Sequence, residues 1–283
     1  MSAGGTSEFV SAIEPIAREA GELLMGYFAR RVPIEYKGDA DLVTAADRAS
    51  EALIMDRLQA RFPRHDVMGE EGARRETGSD YKWYIDPLDG TTNFAHGFPV
   101  FCISMGLEHK GKLIAGVVYD PARGELFAAE KGSGAYLNQR RLQVSKTARL
   151  SESLAATGFP SHKRHKNPNI HFYHQITLRT HGVRRAGSAA LDLASVASGR
   201  FDAFWEFNLN PWDLAAGVLL VEEAGGQVTG FLGQPFRLQD RDVVATNGLI
   251  HADLLREFKE IFEGRGLEPL PDPREYSKLR QQG

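Results

Sequence analysis

Acids gather at three places in this chain where a turn or the end of an element would hold them still. In Trp83-Tyr84-Ile85-Asp86-Pro87-Leu88-Asp89-Gly90-Thr91-Thr92-Asn93-Phe94, a strand-like run meets two aspartates. Pro87 and Gly90 predict a tight turn between them, which aims both carboxylates and the Leu88 carbonyl at one point. Met68-Gly69-Glu70-Glu71-Gly72 ends another strand-like run in adjacent acids, and Asn210-Pro211-Trp212-Asp213-Leu214 sets an aspartate at a helix start. Each stretch also has an ordinary reading. Asp, Pro and Gly punctuate turns, Asp213 suits a helix N-cap, and Glu70 and Glu71 suit a solvated loop. Convergence of Glu70, Asp86, Asp89 and Asp213 would change the balance, because like charges about 4 Å apart repel by roughly 4 kcal/mol per pair at an effective dielectric of about 20. Such a cluster is sensible only around cations. An all-oxygen donor set selects a hard ion, Mg²⁺ first and then Mn²⁺ or Ca²⁺.

Neighbouring patterns do not fit. An EF-hand needs Glu at its twelfth place, and the twelfth residue from Asp86 is Gly97. A phosphoaspartate-type phosphatase would by resemblance carry Asp-x-Asp, whereas two residues separate Asp86 from Asp89, which argues against a covalent aspartyl intermediate. No Gly-rich Lys-Ser/Thr loop is present, so a P-loop is absent. His162, His165, His171 and His174 fall in a basic segment, 161–174, whose irregular spacing matches no zinc pattern and whose Lys163, Arg164 and Lys166 would repel a cation. It reads as a solvated loop leading into a helix.

The elements that must position these groups follow from periodicity. Phe9, Ile13, Ile16, Ala20, Leu23, Leu24 and Phe28 recur at helical spacing, predicting an amphipathic helix from Glu8 to Arg31 that begins near Glu14 or kinks at Pro15. A second helix is predicted from Thr44 to Phe62, where Thr44-x-x-Asp47 is a capping pattern. Strands are predicted at Trp83–Ile85, Phe101–Glu108, Leu113–Tyr119 and Leu126–Ala129, joined by short connections that imply antiparallel hairpins. The second half alternates: helix at Ser188–Ser198, strand at Phe201–Phe207, helix at Asp213–Ala224, strand at Val243–Thr246 and helix at His251–Phe262. Stacked layers of helix and sheet follow from this order.

Composition sets the outer limits. The chain has 283 residues, 42% hydrophobic and 25% charged, which excludes disordered and fibrous classes. At about 150 residues per domain it is two domains or one large layered one. A net charge of −3 gives no electrostatic warrant for nucleic-acid binding. No apolar run approaches the roughly 18 residues of a membrane span. The opening Met1 to Ser7 lacks the basic and apolar character of a secretory signal, so a cytoplasmic location is expected. The single cysteine, Cys102, excludes an internal disulfide and is expected to be buried and inert.

The Glu70-Glu71 pair, Asp86-Pro87-Leu88-Asp89-Gly90-Thr91-Thr92-Asn93, Trp212-Asp213-Leu214-Ala215-Ala216-Gly217 and Asp41-Leu42-Val43-Thr44-Ala45-Ala46-Asp47 together resemble the signature motifs of the inositol monophosphatase family, in the family's order. The resemblance covers about Phe9 to Phe262. It implies a mixed α/β fold, the layered α-β-α-β-α sandwich of the inositol monophosphatase and fructose-1,6-bisphosphatase type. The catalytic domain would span 8–263, with an antiparallel half to about 150, an alternating half beyond it, and a flexible tail at 264–283.

The resemblance further implies a phosphomonoesterase using two or three Mg²⁺ ions, with Mn²⁺ as a possible substitute. Glu70, Asp86 and the Leu88 carbonyl would hold one ion, and Asp86, Asp89 and Asp213 a second. Glu70, Thr91 and Asp47 would be catalytic, Thr91 orienting the attacking water with Asp47 behind it as proton acceptor. Gly90 and Thr91 would cradle phosphate, with Gly187, Ser188, Ala189, Glu206 and Asp213 completing the substrate site. On sequence alone Ser188 is equally an N-cap and Glu206 an edge charge; Arg184 and Arg185 could attract phosphate or be solvated, and Trp212 reads as packing beside Asp213. The leading substrate is myo-inositol 1-phosphate. Fructose 1,6-bisphosphate, nucleotide 3'-phosphates, NADP and histidinol phosphate are alternatives within the family, and a regulatory binding module with vestigial hydrolysis is an alternative of another class. A homodimer and inhibition by Li⁺ are also implied, with neither nucleic acid nor membrane as partner.

Overall fold

The computed structural model describes residues 8–30, 35–36, 42–159 and 167–275. The chain opens with helix α1 (Glu8–Phe28), a two-residue ladder of β1 (Glu35–Tyr36) and β2 (Leu42–Val43), and helix α2 (Ala45–Arg61). Strands β3 (Asp66–Gly69), β4 (Arg74–Arg75), β5 (Tyr81–Asp89), β6 (Cys102–His109), β7 (Lys112–Asp120), β8 (Glu125–Glu130), β9 (Gly134–Leu137) and β10 (Arg140–Arg141) follow, with a short helix α3 (Thr91–Ala95) after β5. They form one sheet in the order β10-β9-β8-β7-β6-β5-β3-β4. The second half contributes β11 (Leu154–Thr157), α4 (Asn169–Thr177), β12 (Gly182–Arg184), α5 (Ala189–Ala197), β13 (Ala203–Glu206), α6 (Pro211–Glu223), β14 (Gln227–Thr229), β15 (Val243–Thr246) and α7 (His251–Phe262). Its strands form a second sheet in the order β12-β11-β13-β15-β14.

Three apolar cores join five layers, the central one reaching from the middle helices to both sheets. Successive strand residues point to opposite faces, so on β6 Ile103, Met105 and Leu107 meet α1 and α2, while Cys102 faces inward toward α5 and α6. On β13, Phe204 joins that central core, whereas Ala203 and Trp205 face α4 and α7 on the far side. The order helix, sheet, helix, sheet, helix is the expected layered α/β sandwich. Helix α6 lies flush on the first sheet because two strand positions there carry no side chain. A Cβ on Gly106 would stand 2.5 Å from Ala215 Cβ, and one on Gly116 would stand 2.9 Å from Ala216 Cα. That close approach brings the first turn of α6 toward β5.

Several expectations change. Helix α1 starts at Glu8, not near Glu14, and Pro15 lies within it. The strand predicted at Trp83–Ile85 runs on through both aspartates to Asp89. The first sheet is antiparallel except where β3 pairs parallel with β5, Gly69 opposite Ile85. In the second sheet β11 pairs parallel with both β12 and β13, and β15 pairs antiparallel with β13 and β14. Beyond α7, the stretch expected as a flexible tail is tied to α4: Gln175 exchanges hydrogen bonds of 2.7 and 3.0 Å with the Glu268 backbone, and Arg179 donates to the Gly266 carbonyl at 2.8 Å. Residues 276–283 lie outside the described residues, as do His162 and His165; His171 and His174 lie on α4. Among the described residues no helix is long and apolar enough to cross a membrane.

Candidate active site

The two central aspartates occupy a bulge in β5, not a turn after it. Asp86 lies opposite Ser104 and Asp89 opposite Cys102, so β5 spends one more residue than β6 across this interval. Pro87 fits here because a bulge relieves it of a ladder hydrogen bond. The Leu88 N–H donates to Asp86 Oδ1 at 3.0 Å, and Ser50 Oγ of α2 donates to the Pro87 carbonyl at 2.9 Å. The chain leaves the bulge through Gly90, whose φ of +96° suits glycine, and a Cβ there would stand 2.8 Å from the Val100 carbonyl.

Four carboxyl groups meet at this bulge. Asp86 is 2% exposed, with Glu70, Asp89 and Asp213 close enough to act on its carboxyl. Burial first, then the charges of Glu70, Asp89 and Asp213, push its carboxyl well above the ordinary aspartate range. Asp89 Oδ2 accepts from Ser188 Oγ at 2.6 Å and from the Ala190 N–H at 2.8 Å, with the Ala189 N–H also donating. Burial still raises its pKa against these donors. Asp213 is pushed up to about 8 by burial and by Asp89. It is not the N-cap that its position suggested: Asn210 caps α6, and Asp213, three residues on, accepts the Asn210 N–H at 2.7 Å through Oδ2. Glu70 follows β3, and its N–H donates to the Ile85 carbonyl at 3.2 Å. Among the described residues no group of three or more His, Cys, Asp or Glu side chains stands in an arrangement that would hold a metal ion as it is.

Asp47 reconciles the capping and the chemical readings of its motif. Its Oδ2 accepts the Thr44 N–H at 2.8 Å in a capping box at the start of α2, while its Oδ1 stands 3.0 Å from Thr91 Oγ1. Thr91 Oγ1 is also 3.0 Å from the Leu88 carbonyl. Burial raises the Asp47 carboxyl, and the donors from Thr44 and Thr91 pull the other way.

A cleft of about 180 Å³ opens over this cluster. Glu70, Asp89, Gly90, Thr91, Gly187, Ser188, Ala189, Glu206 and Asp213 all line it, so the sequence-predicted substrate positions share one cavity with the acids. A larger cleft, about 610 Å³, runs between Val10 and Glu14 of α1 and the Leu126 to Arg141 edge, and none of these acids lines it. Ser188 caps α5 and donates to Asp89, so its capping and site positions coincide. Glu206 ends β13, 7% exposed, and burial together with Asp89 pushes it up to about 8. Arg185 lines the cleft and donates to the Phe159 carbonyl at 3.2 Å; Trp212 is half-buried against the central core. Cys102 is fully buried 3.8 Å from Asp89 Oδ2, and burial beside that carboxylate raises its thiol well above the ordinary range, in keeping with an inert cysteine.

Residues 6–263 match the inositol monophosphatase family. The chain belongs to that family. An inositol-1-monophosphatase of Synechocystis is 46% identical over 239 residues, covering 83% of this chain and 83% of the relative. A Nus factor SuhB of Pseudomonas aeruginosa is 47% identical over 239 residues, covering 82% and 88%. Among solved structures, the inositol monophosphatase from Anabaena (Nostoc) sp. superposes with a TM-score of 0.82 at 43% identity, covering 93% of this chain and 97% of that one. As an inositol monophosphatase family member the chain is a phosphatase.

Three site residues escaped the sequence analysis. Asn93 Nδ2 lies 2.8 Å from the Val100 carbonyl and 2.9 Å from the Ala186 carbonyl, tying α3 to the segment before α5. Glu51 of α2 accepts the Glu71 and Ala73 N–H groups at 2.9 and 3.0 Å, which fixes the loop carrying Glu70. Asp192 lies in the cleft lining, 2% exposed. Its signal was present: it is the only charged residue in Ala189–Ala197, whose other members are small or apolar save Ser195.

Proposed function

We propose that this phosphatase hydrolyses a small polyol or sugar monophosphate, with myo-inositol 1-phosphate as its leading substrate, by direct attack of water in a Mg²⁺-dependent reaction. The observation that carries this reading is the meeting of Glu70, Asp86, Asp89 and Asp213 at the β5 bulge beneath the cleft. Their donor set fits the ion: all oxygen, no His or thiolate, and carboxyl groups whose protons are retained only through burial and mutual repulsion. Glu70, Asp86 and the Leu88 carbonyl would hold one Mg²⁺, and Asp86, Asp89 and Asp213 another. When bound, the ions supply activation of a water and neutralisation of charge on the leaving oxygen.

The protein's own residues supply the rest. Thr91 Oγ1, which lies 3.0 Å from both Asp47 Oδ1 and the Leu88 carbonyl, would orient a water, with Asp47 as proton acceptor behind it. Gly90 and Thr91 would border the phosphate, and Gly187, Ser188, Ala189 and Glu206 the alcohol; all six line the cleft. The test is phosphate release across a panel of inositol, sugar and nucleotide monophosphates with and without Mg²⁺. Asp89→Asn is expected to lower kcat at least about 10²-fold, as loss of an electrostatic partner at a reacting centre does. Wild-type activity that ignores chelation would overturn the metal assignment. Adding Li⁺, and measuring mass by light scattering, tests the inhibition and the homodimer that the family resemblance implies.

The relative named as a Nus factor favours a second reading, a regulatory binding module. The acids and Thr91 standing together in one cleft speak against hydrolysis being vestigial. A partner-binding role that survives Asp89→Asn would establish the second activity beside the first.

A further inference from the structure

Asp192 stands where a carboxylate is costly and has no structural task that explains it. It lies in the first turn of α5, is 2% exposed, and lines the cleft with Glu206, which is 7% exposed. Neither carboxyl takes a hydrogen bond from any described residue; the groups acting on both are each other's neighbourhood, Asp89, and the exposed guanidinium of Arg185. Glu206 is pressed against the backbone of Gly158, where a Cβ would stand 2.0 Å from Oε2, so its head cannot turn away in that direction. Two largely buried acids that no described residue pairs, both lining one cleft, leave acceptor oxygens open to a ligand entering it.

Carboxyl oxygens accept from hydroxyls, and two such groups in one cleft can accept from two. Resting on the phosphatase reading above, we propose that Asp192 binds a substrate hydroxyl and, with Glu206, makes the enzyme selective for monoesters whose alcohol carries two neighbouring free hydroxyls, as a cyclitol or sugar does. A phosphate ester without those hydroxyls enters the same cleft but displaces water from both groups without replacing its hydrogen bonds. Sites built on buried polar groups reject analogues that cannot pair with them far more strongly than apolar pockets reject an extra group. Asp192 thus acts on the alcohol side of the cleft.

The test compares kcat/KM for myo-inositol 1-phosphate with kcat/KM for phenyl phosphate, in the wild type, Asp192→Asn, Glu206→Gln and the double variant. The wild type is expected to favour the inositol ester. Asp192→Asn is expected to lower the inositol-to-phenyl ratio at least tenfold, through KM, and the double variant to fall short of the product of the single losses because the two residues read one diol. A ratio within twofold of wild type overturns the proposal. So does an equal loss on both esters, which marks a structural role. Thermal melting accompanies each variant, and Asp192→Ser serves should the Asn variant not fold. If the wild type releases phosphate from neither ester, the phosphatase substrate reading itself fails, a result distinct from a preserved ratio.

Discussion

At the residue scale, Asp47 shows how one carboxylate holds two positions. Oδ2 closes the capping box with Thr44 and Oδ1 meets Thr91, so the first turn of α2 is locked to the residue expected to hold the water. Among the described residues the Thr91 hydroxyl meets Asp47 and the Leu88 carbonyl, and its side chain is half-buried. Thr91→Ala should therefore lower kcat about 10²- to 10⁴-fold, the range for a lost proton-transfer partner, while melting stays near wild type. Steady-state kinetics beside a melting curve check this; a kcat close to wild type would remove Thr91 from the reaction. In the sequence, Thr44-x-x-Asp47 was open to two readings because a cap and a proton acceptor require the same residue type, and only the separate partners of the two oxygens resolve them. Asp192 lay outside every motif, although Ser188 and Ala189 at the start of the same helix line the cleft with it.

At the element scale, the site depends on how closely α6 rides on the first sheet. The helix carries Asp213 in its first turn, and Gly106 and Gly116 let Ala215 and Ala216 sit against the strand backbones. Gly106→Ala places a methyl 2.5 Å from Ala215 Cβ with backbone atoms at 2.9 Å, so the helix must shift. Overpacking of this kind costs about 1–3 kcal/mol. The variant is expected to melt lower and also to lose activity, because Asp213 moves with the helix; melting and phosphate release on the same preparation check both. Equal activity at lower melting temperature would separate the packing from the site. The long helices and the strands β6, β7, β8 and β15 were legible because several turns or alternations average out local noise. Strands β4, β10 and β12 were not, as two or three residues carry no period. The parallel pairing of β3 with β5, which sets Gly69 beside Ile85 and so brings Glu70 to Asp86, joins segments that no short-range pattern links.

At the scale of the whole molecule, the acids of the cleft set how stability follows pH. Asp86, Asp89, Asp192, Glu206 and Asp213 all have pKa values raised in the folded chain, chiefly by burial, with Glu206 and Asp213 at about 8. An unfolded chain releases these protons at ordinary carboxylate values of about 4, while the folded chain keeps them. Stability is therefore greatest below that range and falls as pH rises toward 8, each such group contributing up to about 1.4 kcal/mol per pH unit. Carboxylates with lowered values, such as Glu125 beside Arg200 and Asp66 under the Thr77 N–H, work in the opposite sense, but their contribution is lost only as pH falls below the ordinary range, so they do not offset this window. A divalent cation taking the place of the protons should reverse the trend. In chelator, melting temperature is expected to decline between about pH 5 and pH 8; with Mg²⁺ at about 100 times its dissociation constant the folded state gains about 2.7 kcal/mol, or roughly 5–10 °C for a chain of this size. The gain should be largest at the alkaline end, where the protons compete least, and Asp89→Asn should diminish it while Asp192→Asn leaves it in place. Melting curves that coincide in Mg²⁺ and chelator across the range would mean that the four acids at the β5 bulge meet for some reason other than holding a cation.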